Sequence, residues 1–150
     1  MSTRDYGELA ELLAAQKDAY ALLLSLSLGQ AKVFAASGAR GLMKVIARKE
    51  GVIGAIDSLH AKLRPYASSW DETMSALPEP ARREVAAAVT DIASMVKRII
   101  ESEKAIECIV AAARDKTAAG ISGIAAGRSA VKAYGGGRLQ HAGRILDREG

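Results

Sequence analysis

The sequence is short of aromatic side chains and of helix breakers. Phe, Trp and Tyr together supply six residues, Phe34, Trp70, Tyr6, Tyr20, Tyr66 and Tyr134. A sheet protein needs aromatic and β-branched side chains to fill its pleated faces, so this scarcity argues against one. Proline is confined to Pro65, Pro78 and Pro80, which leaves long tracts on either side free of the strongest breaker. The single cysteine, Cys108, cannot close an internal disulfide and has no CxxC or Cys/His neighbour for zinc. It reads as a small apolar filler in a reducing compartment. The apolar stretch 19–28 is broken by Ser25 and Ser27 and falls short of the roughly 20 residues a membrane span needs. Residues 1–8 carry acids where a secretory leader wants lysines. These absences together imply a cytoplasmic protein with no membrane span.

What is present favours helices. Alanine occurs 30 times among 150 residues, and the 49% apolar and 25% charged fractions suit one globular domain with its own core. The fold expected is all-α. The net charge of +4 is unevenly placed: residues 1–113 hold 14 bases against 14 acids, whereas residues 114–150 hold seven bases against three acids. Eight of the 14 glycines also lie beyond residue 113. The sequence therefore divides into a helical body, 1–113, and a basic, glycine-rich C-terminal segment, 114–150.

Within the body, Leu9, Leu13, Tyr20, Leu23 and Phe34 share one stripe at helical spacing, which predicts a helix over about 5–36 with Asp5 and Glu8 as a capping box. Ser37, Gly38 and Gly41 break it. Leu42, Val45, Ile46, Ile53, Ile56, Leu59 and Leu63 then predict a second helix over about 40–64, ended by Pro65. So short a turn makes the pair an antiparallel hairpin. A helical turn near 69–76 starts at Ser69, with Glu72 at the capping-box position. Trp70 on it plugs the bundle end or, alternatively, stacks on a ligand. Pro80 suits the first turn of a long third helix, 80–113, whose heptad runs Val85, Val89, Ile92, Val96, Ile99, Glu103, Ile106, Val110. Glu103 interrupts that seam and sets register or faces a groove; it is not expected to be catalytic.

No reaction centre emerges. His60 and His141 lie far apart without partners at ligand spacing, and the glycines at 135–137 open no phosphate-binding motif, so neither metal nor cofactor is expected. Arg48, Lys49, Lys62 and Arg64 would have to converge for a small helical enzyme of the chorismate-mutase type, the least favoured reading. Nucleic acid is also disfavoured, because the bases of the segment are dispersed among acids and accompanied by one aromatic. Ile121, Ile124, Val131 and Tyr134 keep helical spacing, but Gly120, Gly123 and Gly127 each cost a helix about 1 kcal/mol relative to alanine. A helix so weakened gains order by packing on a partner, or else completes the third helix inside the core.

The order of these features resembles the FlgN-like family of flagellar type III export chaperones. The resemblance rests on the acidic-start helix, the Ser-Gly turn followed by Leu42, Arg48-Lys49-Glu50 leading to Ile53 and Ile56, and Trp70 with Leu77-Pro78. It continues in the long third helix, Ala133-Tyr134-Gly135 and Arg144-Ile145-Leu146-Asp147. It implies a cytoplasmic chaperone that covers the C-terminal helices of hook–filament junction proteins and delivers them to the export gate. Ile106, Ile109, Val110, Ile121, Ile124 and Val131 would face the cargo, and Tyr134 would dock on the gate's cytoplasmic domain. The alternative is a coiled-coil module that buries the same surface in a homodimer without cargo.

Overall fold

The computed structural model describes residues 3–120, which form three helices and, among the described residues, no strand. α1 spans Thr3–Ala67, α2 Trp70–Ala76 and α3 Glu79–Gly120. α1 is two arms joined at Gly38, whose φ of 65° and ψ of −155° lie in a region only glycine enters at ease. A glycine that ends a helix commonly takes a left-handed position with ψ of about +45°. The observed ψ is extended instead, and it reverses the chain in a single residue. Gly41 is required for a different reason. A Cβ there would sit 2.6 Å from the Ser37 Cβ, so the second arm approaches the first as closely as a bare backbone allows.

Side-chain bonds fix the directions. The Tyr66 hydroxyl donates to Glu8 at 2.9 Å, and Lys49 Nζ donates to Gln30 at 2.9 Å, so the arms 3–37 and 39–67 run antiparallel. Along α3 the partners ascend with the first arm: Tyr6 donates to Glu84 at 3.0 Å, Lys17 pairs with Asp91 at 2.9 Å, and the Ser102 hydroxyl donates to the Ser27 carbonyl at 3.0 Å. The molecule is therefore an up-down-up three-helix bundle, with α2 crossing its lower end. The expected all-α hairpin with a long third helix is what forms, and α3 folds back along the hairpin.

Several boundaries differ from expectation. Helix starts at Thr3, so Asp5 lies in the first turn rather than capping it. The second arm runs through Pro65 to Ala67; a proline in the last turn removes one bond only, and the Pro65 carbonyl accepts the hydroxyls of Ser68 and Ser69. Ser69 occupies the N-cap position of α2 but makes no side-chain cap bond, its hydroxyl being turned back to Pro65. α3 begins at Glu79 and passes residue 113 unbroken, so the change in composition there is not a break in the helix.

The core is in two parts. The larger runs from Leu9 and Leu77 at the lower end through Tyr20, Ile56 and Ile92 to Ile99. The smaller, near the Gly38 turn, consists of Leu42, Ile46, Ile106 and Val110 with Phe34 against them.

Candidate functional site

A polar layer separates the two cores. Ser27 and Gln30 come from the first arm, Lys49 from the second and Glu103 from α3, all buried. Lys49 Nζ is bonded to the Glu103 carboxylate and to Gln30 Oε1, Ser27 donates to Glu103 at 3.1 Å, and Gln30 Nε2 donates to the Ser27 carbonyl at 3.1 Å. Isolated buried charges are expensive, and these persist because each faces its opposite inside a hydrogen-bonded shell. Moving α3 by one heptad would bring Val96 or Val110 against Lys49. The layer therefore fixes the register of three helices, the role expected of Glu103.

Lys49 was not singled out as inward-facing, yet its position carried the sign. It lies on the stripe of Leu42, Ile46, Ile53 and Ile56, as Ser27 and Gln30 lie on that of Tyr20, Leu23 and Phe34. A lysine and a glutamate at seam positions of different helices are the recognisable pattern. Its burial also removes Lys49 from any cluster with Arg48, Lys62 and Arg64, which are exposed on the outside of the same arm. The four bases do not converge into an anion-binding pocket.

Beside the layer and extending above it, a groove of ≈ 360 Å³ lies between the first arm and α3. Leu28, Ala31, Ala105, Ile106 and Ile109 give it an apolar lining, and Arg98 and Glu101 stand at its side. Leu28 is 54% exposed and Ile109 42%, the two large apolar residues of this face left exposed among the described residues. α3 also continues about 15 Å from Val110 to Gly120, whereas the hairpin turns only about 6 Å beyond Leu42.

Among the residues expected to face a cargo, Ile109 is at the surface. Ile106 and Val110 are not: each is 8% exposed and packs against Leu42 and Ile46, because the α3 seam is filled by the hairpin. That same packing occupies the heptad on which a homodimeric coiled coil would depend. Ile121, Ile124, Val131 and Tyr134 lie outside the described residues. Cys108 is exposed and not a core filler, one position from Ile109 on the outer face of α3.

At the lower end, tyrosines tie the helices together. The bond Tyr6 donates to Glu84, with a lesser contribution from burial and from the acid's charge, raises its pKa above 10.0. Burial, then the bond to Glu8 and the charges of Glu8 and Asp5, raises that of Tyr66. Trp70 is partly buried against the main core and also borders a second, larger cleft of ≈ 650 Å³.

No group of three or more His, Cys, Asp or Glu residues is placed to hold a metal ion among the described residues. α1 contains an 18-residue window of mean hydropathy 1.4, long and apolar enough by composition to cross a membrane, which the short stretch 19–28 did not suggest. In the bundle, its Tyr20, Leu23 and Leu24 belong to the main core. No family model, curated protein or solved structure matches the chain.

Proposed function

We propose that the protein is a helix-binding export chaperone of the FlgN-like kind, working in the cytoplasm. The observation that supports this reading most is the groove between the first arm and α3, open and apolar at Leu28, Ala31, Ala105 and Ile109. Its shape and lining suit the apolar face of an amphipathic helix, with Arg98 and Glu101 available to polar residues on the rim. Each Å² of apolar surface covered contributes about 25 cal/mol, set against the cost of ordering the incoming peptide. The resemblance in sequence supplies the cargo, the C-terminal helices of hook–filament junction proteins. It also supplies the destination, the export gate, with Tyr134 as the docking residue. Ile109 stays in the cargo surface with Ile121, Ile124 and Val131, Ile106 contributes from the groove floor, and Leu28 joins them in place of Val110.

Co-purification of the full chain with those C-terminal helices tests the proposal. A complex at micromolar concentration is expected, and its loss in Leu28→Glu and Ile109→Glu, both surface changes that leave the core intact. No complex with the unaltered chain, or capture undiminished by both substitutions, would overturn it.

A further inference from the structure

The cleft beside Trp70 lies lower in the bundle than the groove and plays no part in the chaperone reading. It lies between the two arms and α3, over a floor formed by the buried core residues Leu13, Leu63 and Ile92. Its ≈ 650 Å³ falls in the range of small-molecule sites, and spaces between the helices of bundles are a common place for them. Gln16, 2% exposed, contributes a carboxamide to the lining, a group that both donates and accepts hydrogen bonds.

Three features limit what the cleft would take. Trp70 offers an indole against the aliphatic floor, which favours a flat aromatic body. Arg64 at the mouth is exposed and makes no ion pair among the described residues, so its guanidinium fork is available to a carboxylate. Asp57 lies two turns away on the same face of the arm, about 10 Å along the axis, with His60 between them. An acid at one end and a base at the other orient a charged ligand with its carboxylate towards Arg64.

We propose that this cleft binds a small aromatic carboxylate, its ring between Trp70 and the aliphatic floor and its carboxylate on Arg64. Trp70 is the chain's one tryptophan, so the single indole N–H cross-peak of a ¹H–¹⁵N spectrum reports on the site. Naphthalene-2-carboxylate serves as the probe, and the neutral naphthalene-2-methanol as its control. The acid should shift the Trp70 peak saturably with a dissociation constant below about 1 mM. Arg64→Met, at an exposed position, should weaken the acid about tenfold and leave the weaker binding of the alcohol unchanged. No saturable shift, equal binding of acid and alcohol, or an acid affinity that Arg64→Met leaves intact would overturn the proposal.

Discussion

Lys49 and Glu103 test how far a buried charge can be tolerated in a slender bundle. Removing one partner strands the other in the core, so Lys49→Met should cost about 3–5 kcal/mol. Replacing both with apolar residues of similar size removes the debt, and Lys49→Met combined with Glu103→Leu should recover most of the loss, as urea denaturation would record. The two glycines of the turn respond differently from each other. Gly38→Ala places a side chain at φ 65° and ψ −155° and should cost about 1–3 kcal/mol, although space is open around it. Gly41→Ala instead meets Ser37 at 2.6 Å and must push the arms apart, so a Ser37→Gly background should relieve it while leaving Gly38→Ala unchanged. Thermal melts of the four chains separate backbone strain from steric conflict.

The tyrosines make a prediction about pH. Both have folded pKa values raised above 10.0, so the folded state holds their protons more tightly than the unfolded chain does. Their contribution is complete below the unfolded value and is lost as pH climbs through the folded one. Stability should therefore fall on the alkaline side of about pH 10, and Tyr6→Phe with Tyr66→Phe should flatten that decline. Both side chains are close to the surface, so the slope of the melting temperature against pH is the quantity to compare.

At the scale of elements, the sequence made the helices easy to see and their ends hard. The stripes of α1 and the heptad of α3 are long, and side-chain periodicity averages well over many turns. Ends depend on one or two bonds, which is why Pro65 reads as a stop yet sits inside the last turn, and why Ser69 reads as a cap yet bonds backwards. Site residues were harder for another reason. Periodicity tells which residues share a face, but not whether that face meets the chain's own hairpin or a partner. Ile106 and Val110 met the hairpin; Ile109, on the next face, did not. Cys108 was misplaced in the same way: small and apolar suits a core, but its angular position on α3 puts it outside.

The whole molecule is divided by its polar layer into unequal parts. Below the layer, the large core spans both arms of α1, α2 and α3; above it, the apolar residues buried among the described ones are Leu42, Ile46, Ile106 and Val110, with Phe34 beside them. Less apolar burial above the layer means less resistance to local opening, because a contiguous unit opens with a free energy set by its own contacts. Amides around Leu42 and Val110 should therefore exchange through sub-global opening, while those around Ile56 and Ile92 should wait for global unfolding. Ile92→Ala, at 1% exposure, should lower the global stability by about 2–5 kcal/mol, whereas Val110→Ala should mainly speed exchange near the turn. Uniform protection along α3 in native-state hydrogen exchange would contradict this division. The chaperone reading gains from it directly, since the groove at Leu28 and Ile109 borders the less stable part, where an arriving helix can press the arms apart at least cost. Truncation after Gly120 should then weaken capture by removing Ile121, Ile124 and Val131, and should leave the cooperative melt of the large core in place.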